Sequence, residues 1–418
     1  MRWLLLPLLG AALGCPKPAP PADFTLRLGV IGEVGPVAPD AQSGAAALAT
    51  DLVFESVIRP VPGGWDSRFL RRWERLGPRR WRLELKEGVR FSDGSVVGPG
   101  DVAEAVRRRA VRVVSTAAAG LEVETPAASP LETQLALAIV AKQVGERWVG
   151  TGPFSVTGQA PGGLVLTRVE AVPGRIHRVE LIPCATGREA LVRLLRGELG
   201  GIPSLDPANA ELLDGVPKLR ILRGNAPHAI AIMLNPRLSA AERRALVPAV
   251  PVAEIAAAIR REPCCGEGSP PRLVPPPGVP LRIGYPRSLV FRRAALALRQ
   301  GLGARGGDVR PLGTYDLAGW SKDFDLLATS ILVRPPGIVA NYLRTGADWN
   351  FTGYSNAVYD AALASGDEAA ASEALAEDPP MVIVARRERV GAVDARLANA
   401  RLGDWGILET LPEWEVSP

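Results

Sequence analysis

The 418-residue sequence has little of what enzymes and metalloproteins most often use. It contains two histidines, His177 and His228, and four cysteines. The cysteines are Cys15, Cys184 and the adjacent pair Cys264–Cys265, and this pair lacks CxxC spacing. We therefore expect free thiols or one loop disulfide, and no zinc site. No HExxH motif, P-loop or carboxylate cluster at metal-ligand spacing occurs, so the sequence predicts neither an enzyme nor a resident metal or cofactor.

Lysine and aromatic residues are also scarce. The chain has 49 basic and 44 acidic residues, a formal net charge of +5, but only five basic residues are lysines, and aromatics make up 5%. The arginines are spread along the chain without interleaved aromatic residues, so nucleic-acid binding is not expected. With 47% apolar and 22% charged residues, the composition is that of a globular protein, and the length allows two or three domains.

Two short motifs imitate functional sites without the context that such sites need. Gly301–Gly306 matches GxGxxG, but it follows a predicted helix and precedes a predicted strand, whereas a dinucleotide site needs the reverse order. We expect a helix C-cap and a turn there. Gly353–Ala357 suggests a nucleophile elbow around Ser355, but its last glycine is missing and both histidines precede the serine.

The amino terminus has the pattern of a bacterial lipoprotein signal. A short basic start precedes Leu4–Leu13, an apolar run too short to span a bilayer permanently. Ala12–Cys15 resembles a lipobox. We expect residues 1–15 to be a signal peptide and Cys15 to carry lipid, with an ordinary secretory signal as the alternative. The Pro-rich residues 16–23 are expected to form a semi-rigid spacer.

Beyond residue 23, strand and helix patterns alternate, which indicates an α/β fold with a partly parallel sheet. The predicted strands include Phe24–Ile31, Leu219–Leu222, Ala229–Leu234, Leu281–Tyr285, Asp325–Ser330 and Met381–Ala385. The predicted helices include Ala45–Val57, Asp101–Arg109, Val252–Arg260, Leu289–Leu302 and Asn356–Ser365. Arg261–Pro280, crowded with proline and glycine, is predicted to be a linker or an exposed loop.

The stretch Leu85–Arg108, LKEGVRFSDGSVVGPGDVAEAVRR, predicts a hairpin that leads into a helix. Asp93-Gly94 favours a tight turn with positive φ. Pro99 suits the first turn of the helix, where its missing N–H costs nothing. Asp101 falls near the third helical position, where a carboxylate interacts favourably with the helix dipole.

This stretch resembles the hallmark of the family 5 extracellular solute-binding proteins of ABC transporters, which include dipeptide-, oligopeptide- and nickel-binding lipoproteins. Members carry Leu-(Arg/Lys)-x-Gly-(Val/Ile)-x-Phe-x-Asp-Gly, followed by a helix that begins Thr-x-x-Asp-Val. Other segments resemble the family in the same order, over nearly the whole chain after the spacer. They are Leu52–Val57, Gly150–Phe154, Leu191–Glu198, Arg243–Leu246, Asn350–Asn356 with Asp360, and Leu375–Pro380.

The resemblance implies an α/β, two-lobe periplasmic-binding-protein fold of type II, with an extra subdomain on the first lobe. We expect residues 24–50, 151–228 and 386–418 to form the first lobe, residues 51–150 the subdomain, and residues 229–385 the second lobe. It also implies a monomeric receptor, lipid-anchored at the periplasmic or extracytoplasmic face of a bacterial membrane. Such a receptor passes a peptide-like or other small solute to an ABC permease and its ATPase, and lobe closure around the ligand requires no catalytic residue.

Five residues are candidates for ligand binding under this resemblance: Arg334, Ser330, Trp349 and Tyr354 on the second lobe, and Phe91 on the first. Arg334 is suited to hold a carboxylate or phosphate with paired donors. The alternative for Trp349 and Tyr354 is packing in a core or loop, and for Phe91 it is burial beneath its own hairpin.

The chain departs from the family pattern where the ligand is concerned. Peptide-binding members hold the ligand's amino terminus with an aspartate in a Trp-x-x-Asp-like loop, but the matching Thr329–Pro336 contains no acidic residue. Pro248 and Pro251 also interrupt the Arg-x-Ala-Leu helix. Two functions therefore remain open: a divergent solute receptor, and a non-transport lipoprotein of the same fold that acts as a sensor or scaffold partner.

Overall fold

The computed structural model describes residues 24–33, 35–41, 44–61, 64–77, 79–109, 111–125, 131–160, 163–260, 278–313, 317, 319–334, 337–347 and 349–417. Four of the sequence predictions fall outside these described residues. They are the signal peptide with its lipidated Cys15, the spacer, the Cys264–Cys265 pair, and all but the last three residues of the Arg261–Pro280 loop.

Regular structure covers most of the described chain. Up to residue 150 the elements are β1 (Thr25–Ile31), α1 (Gly44–Val53), β2 (Glu55–Ser56), β3 (Arg59–Val61), β4 (Gly64–Asp66), β5 (Leu70–Arg75), β6 (Arg80–Leu85), α2 (Pro99–Arg107), β7 (Arg112–Ala117), β8 (Gly120–Glu124), α3 (Leu131–Leu137), β9 (Ile139–Val144) and β10 (Arg147–Gly150). From there to residue 260 they are β11 (Phe154–Ala160), β12 (Gly163–Arg168), β13 (Arg178–Cys184), α4 (Gly187–Leu195), β14 (Gly201–Ile202), α5 (Pro207–Ala210), β15 (Leu219–Leu234), α6 (Ala240–Leu246) and α7 (Val252–Arg260). The remainder are β16 (Leu281–Tyr285), α8 (Leu289–Leu302), β17 (Gly306–Pro311), α9 (Trp320–Asp323), β18 (Leu326–Leu332), α10 (Ala340–Leu343), α11 (Ala357–Ser365), α12 (Glu368–Glu377), β19 (Met381–Asp394), β20 (Leu397–Ala398) and β21 (Glu415–Val416).

Ten strands form one mixed sheet in the order β11-β12-β13-β1-β14-β19-β15-β18-β16-β17. β1 is parallel to β13 and β14, and β16 is parallel to β17 and β18. These parallel pairs confirm the partly parallel sheet that the alternation of strands and helices predicts. The central neighbours β15 and β19 are antiparallel along nearly their full length.

β15 and β19 connect two halves of the sheet. One half holds β11 to β14 and β1, and we call it the first lobe; the other holds β16 to β18, and we call it the second lobe. The strands predicted at Leu219–Leu222 and Ala229–Leu234 are confirmed, but they are parts of one strand, because the polar residues between them continue β15. The strand predicted at Met381–Ala385 likewise runs on to Asp394. The two polar segments pair with each other, so tertiary pairing overrides their low strand propensity.

The helix predicted at Ala45–Val57 is also shorter than expected. α1 ends at Val53, since Glu55 and Ser56 leave the helix and pair with Val140 and Ile139 of β9. The chain thereby passes directly from the first lobe into the extra subdomain.

Apolar side chains cover both faces of each half-sheet. One face of the first lobe packs against α1 and the carboxyl-terminal segment, and the other packs against α4. The core under α1 joins residues from both ends of the chain, including Leu26, Leu28, Leu52, Leu181, Leu402, Leu408, Leu411 and Trp414. The two second-lobe cores lie against α6 to α8 and against α9 to α12. Each lobe therefore has its own apolar interior.

The extra subdomain has a four-stranded antiparallel sheet, β5-β6-β8-β7, a three-stranded one, β10-β9-β2, and a separate core. The hairpin predicted within Leu85–Arg108 is confirmed, since Gly94 has φ +86° and Arg90 bridges Val96. α2 begins at Pro99, and the Asp101 carboxylate accepts the Gly98 N–H at 2.8 Å. The local predictions for this entry into the helix hold.

Two further sequence predictions can be compared with the structure. Gly303, at φ +55°, ends α8, and β17 begins at Gly306, which confirms a C-cap and turn at the GxGxxG motif. Cys184 is a buried free thiol. No helix within the described ranges is long and apolar enough to cross a membrane.

Candidate functional site

The carboxyl ends of the parallel strands meet between the two lobes. β15 enters the second lobe with its carboxyl-terminal half, and β18 is antiparallel to it, so β18, β16 and β17 run towards the first lobe. β19 enters the first lobe, β14 is antiparallel to it, and β1 and β13 run with β14 towards the second lobe. Open α/β sheets bind ligands outside the carboxyl ends of their strands. The topology therefore places the candidate site where β15 and β19 pass from one lobe to the other, a position that we call the β15–β19 crossing.

A wide β-bulge lies at this crossing. Asn225 pairs with Glu388 and Ala229 pairs with Arg386, so three residues of β15 stand opposite Arg387 alone. The bulged residues include Pro227, whose carbonyl accepts the Val333 N–H at 2.8 Å and ties the end of β18 to the crossing. Bulges bend a strand and redirect its side chains, and this one brings His228 to the same point.

Three basic side chains gather at the bulge: His228, Arg387 and Arg389, which we call the hinge cluster. Burial, and then the charges of Arg387 and Arg389, lower the pKa of His228 to about 4, so its imidazole is neutral at pH 7. Burial lowers the pKa of both arginines as well. Arg387 is nevertheless exposed to solvent by its accessible surface.

A loop of the carboxyl-terminal segment, residues 403–408, lies beside the hinge cluster, and we call it the braced loop. Arg389 donates to the Trp405 carbonyl at 2.8 Å. The Glu409 carboxylate accepts the N–H groups of Trp405 and Gly406 at 3.1 and 3.0 Å. The Asp51 carboxylate of α1 accepts the Leu408 N–H at 2.9 Å. These bonds fix the loop backbone, and with it the half-buried Trp405 indole, next to the crossing.

The Asp51 carboxyl is itself perturbed. Burial raises its pKa from 3.8 to about 6, against the lowering effects of the Leu408 N–H and of Arg389. A Cβ added to Gly406 would lie 2.5 Å from the Asp51 carboxyl carbon, so only glycine allows this close approach. The Asp51 carboxyl is thus held between α1 and the loop with little room for water.

One ion pair joins the two lobes. Arg334 follows β18, and its Nη1 lies 3.5 Å from Oδ2 of Asp404, which precedes Trp405 in the braced loop. The two side chains are 36% and 67% exposed, so the pair contributes on the order of 0–1 kcal/mol.

Solved structures share this architecture over almost the whole chain. The ABC transporter substrate-binding protein CtaP from Listeria monocytogenes aligns with a TM-score of 0.74 and 16% identity, covering 95% of this chain and 100% of that one. AppA from Bacillus subtilis, solved with a nonapeptide, aligns at 0.71 and 14%, covering 95% and 99%. NikA from Staphylococcus aureus, solved with Ni(L-His)2, aligns at 0.70 and 14%, covering 92% and 97%. No family model and no curated protein sequence matches the chain.

The chain has the fold of the family 5 solute-binding proteins. It is the two-lobe periplasmic-binding-protein fold with an extra subdomain, as the sequence resemblance implies. We call β15 and β19, the two strands that pass from one lobe to the other, the hinge strands, and the hinge cluster lies at their bulge.

The solute-binding fold separates the five predicted ligand residues. Ser330 lies in β18, which ends at the hinge cluster where Leu332 pairs with His228, and Arg334 follows two residues after the end of β18. Trp349 packs against the second-lobe core. Tyr354 is buried in that core and donates to the Asp378 carbonyl at 2.8 Å. Ligand binding by these residues stays a prediction.

Phe91, the fifth candidate, lies in the core of the extra subdomain. It is 3% exposed, and the Lys142 ammonium stands 4.8 Å from its ring centroid. This contact matches the alternative interpretation, in which the ring packs beneath its hairpin. A binding role for Phe91 remains untested.

The hinge cluster and Trp405 were not among the residues predicted from the sequence. The available signal was Arg386–Arg389, a run of charge placed directly between two apolar strand segments. A charged run that continues a strand indicates that the strand crosses a solvent-accessible space. Two concave surfaces of about 540 and 550 Å³ lie elsewhere, on α4 and in the extra subdomain, and neither includes a residue of the hinge cluster.

Proposed function

We propose that this protein is an extracytoplasmic solute-binding receptor that encloses a small solute between its lobes and delivers it to an ABC permease with its ATPase. The observation that carries the proposal is the solute-binding fold, matched over 92–95% of the chain. The hinge strands and the open, charged cleft supply what such a receptor needs. A ligand that binds the closed form better than the open form shifts the lobes towards closure, without any chemical step.

The proposal includes the way in which the receptor is held and divided. Cys15 carries a lipid anchor, residues 16–23 space the folded body from a bacterial membrane, and the receptor acts as a monomer. The first lobe comprises residues 24–50, 151–228 and 386–418, with residues 51–150 as its subdomain, and residues 229–385 form the second lobe. Mass spectrometry of the membrane-associated protein tests the anchor, because a lipidated Cys15 becomes the amino-terminal residue.

The cargo is a small solute with an anionic group rather than a peptide bound by its amino terminus. Thr329–Arg334, the described part of the segment that matches the peptide-binding loop, contains no carboxylate. Arg334 at its end offers a guanidinium instead. Replacing Arg334 with alanine should weaken an anionic ligand about 10-fold or more, since a hydrogen bond to a charged group contributes about 1.5–3 kcal/mol. A neutral ligand should bind nearly unchanged, and equal losses for both would contradict this role.

Thermal unfolding against a panel of amino acids, peptides, sugars, carboxylates, phosphate esters and metal complexes tests the receptor function. A ligand at one hundred times its Kd stabilises the folded state by about 2.7 kcal/mol, which for a folded body of this size is a shift of roughly 3 °C. Small-angle X-ray scattering with the same ligand should show a smaller radius of gyration as the lobes close. A ligand that raises the Tm without compaction would argue against lobe closure.

The second candidate is a non-transport lipoprotein that acts as a sensor or scaffold partner. The Arg334–Asp404 ion pair favours it, because this pair links the lobes without a solute. In that case no solute of the panel raises the Tm, and the gene does not lie beside genes for a permease and an ATPase.

A further inference from the structure

Arg387 lies at the β15–β19 crossing, opposite the bulge of β15. It is the one residue of β19 opposite the three-residue bulge of β15, where both lobes meet. Successive strand residues point to opposite faces, so Arg387 shares its face with Arg389, which reaches the braced loop. Its guanidinium therefore stands at the base of the cleft, where the parallel strands end.

Glu388, next to Arg387 in the strand, and the carboxylates that act on Arg389 already have partners. Glu388 pairs with Arg223 at 3.1 Å. Asp404 pairs with Arg334 at 3.5 Å, and Glu409 accepts two N–H groups of the braced loop. The Arg389 guanidinium donates hydrogen bonds to the carbonyl oxygens of Gly403 and Trp405 in the loop. Within the described part of the chain, Arg387 makes no ion pair or hydrogen bond.

The charged groups facing Arg387 are cationic or able to become so. Arg389 is permanently charged, and His228 stands neutral beside both arginines. Arg387 is exposed, but a like charge next to it and no counter-ion among the described residues still disfavour the folded protein slightly. Residues that violate local physical rules in this way cluster at functional sites.

We propose that Arg387 and His228 form a subsite for an oxyanion group (carboxylate, sulfate or phosphate) of the solute held between the lobes. The inference rests on the proposed function and names the chemical class of the cargo. The guanidinium offers paired N–H donors to two oxygens of such a group, and the neutral imidazole offers one more. The anion supplies the counter-charge that Arg387 lacks among the described residues.

Histidine NMR tests the subsite with sulfate as the probe, because sulfate does not titrate in the range studied. The chain has only two histidines, and a His177→Gln variant assigns their resonances. The charged groups acting on His228 are Arg387 and Arg389. Sulfate should therefore raise the His228 pKa by about one unit or more relative to chloride at equal ionic strength.

Arg387→Gln and Arg386→Gln form a matched pair of variants, since Arg386 is an exposed neighbour on the opposite face of β19. Arg387→Gln should abolish the sulfate-induced rise and raise the Tm of the ligand-free protein. Arg386→Gln should retain the rise. An absent rise in the unmodified protein, or a rise that survives Arg387→Gln, overturns the subsite. A Tm lowered by Arg387→Gln does so too, because it would show a purely structural arginine.

Repeating the titration with succinate and with glycerol 3-phosphate distinguishes the possible anionic groups, the preferred one giving half-saturation at least about 10-fold lower than the others. Failure of the subsite is distinguishable from failure of the receptor function. An anionic solute that closes the lobes of Arg387→Gln with the same affinity as it closes those of the parent protein removes the subsite and leaves the receptor. A sulfate response without any solute that compacts the protein leaves the subsite and removes the receptor.

Discussion

Replacing Asp51 with asparagine should stabilise the protein at neutral and alkaline pH. The Asp51 carboxyl lies between α1 and the braced loop, where burial raises its pKa from 3.8 to about 6. Asparagine keeps an oxygen that can accept the Leu408 N–H and carries no charge. The variant therefore removes the cost of holding a carboxylate in this enclosed position.

The magnitude follows from the pKa difference between the unfolded and folded states. A rise of about two units corresponds to about 3 kcal/mol at about 1.4 kcal/mol per unit. Because the folded state holds the proton more tightly, the Asp51 contribution to the free energy of unfolding falls as the pH rises from about 4 through about 6. Asp51→Asn should thus gain about 3 kcal/mol at pH 8 and only about 1 kcal/mol at pH 4.5.

Urea unfolding followed by tryptophan fluorescence at the two pH values measures this difference. An exposed control, Asp214→Asn, should change the free energy of unfolding by less than about 0.5 kcal/mol at either pH. His228 contributes in the opposite direction, since its pKa of about 4 lies below the ordinary 6.5. Its contribution is lost as the pH falls from 6.5 towards 4, so the variant must be compared with the parent protein at equal pH. A loss of stability at pH 8 would falsify the reasoning, because it would make the Asp51 charge a net stabilising partner of Arg389.

Three other perturbations have defined outcomes. Arg243→Ala removes the partner of the Asp378 carboxylate in a largely buried ion pair, so urea unfolding should show a loss of about 3–5 kcal/mol, and a loss below 1 kcal/mol would contradict that burial. Gly406→Ala places a methyl group 2.5 Å from the Asp51 carboxyl carbon, so the loop must shift. Overpacking of this kind costs about 1–3 kcal/mol, so the Tm should fall by several degrees. An unchanged Tm would show that the loop moves without a cost in stability. Cys184 is buried, and burial raises the pKa of its thiol. A thiol reagent at pH 7.5 should therefore label Cys184 only after urea unfolds the protein. Rapid labelling of the native protein would contradict its burial.

The sequence predicted those parts of the fold that local rules control. Asp93-Gly94 forms the expected turn, Pro99 and Asp101 begin α2 as expected, and Gly303 ends α8. Each of these depends on the conformational range of one residue, or on a hydrogen bond within one turn of helix. The order of such segments also carried the family resemblance.

The hinge strands could not be predicted in the same way. Arg223–Asn225 and Arg386–Arg389 show no apolar alternation, because the strands pass there from one lobe to the other and neither face is covered by a core. Their strand conformation comes from pairing with each other across more than 160 residues of chain. The hinge cluster was missed for the same reason, since its members meet only through that pairing.

The predicted ligand residues show a related limit. Arg334 was selected for its chemistry, and its position at the end of β18 is compatible with that choice. Tyr354 and Phe91 were selected as aromatic residues near family motifs, yet both side chains lie within cores. A buried aromatic and a ligand-stacking aromatic have the same local sequence pattern, and only the packing of distant elements distinguishes them.

The carboxyl-terminal segment gives the order of synthesis a structural consequence. The core that β1 and α1 begin is completed by Leu408, Leu411 and Trp414, which are synthesised after all of the core residues of the second lobe. The second-lobe cores use residues from Ile230 to Ala385 only. A nascent or prematurely ended chain without Trp414 therefore carries a second lobe with all of its core residues and a first lobe with an uncovered apolar face. Chaperones and proteases recognise such a surface, so they can distinguish a chain that lacks this segment by the exposed apolar face of its first lobe.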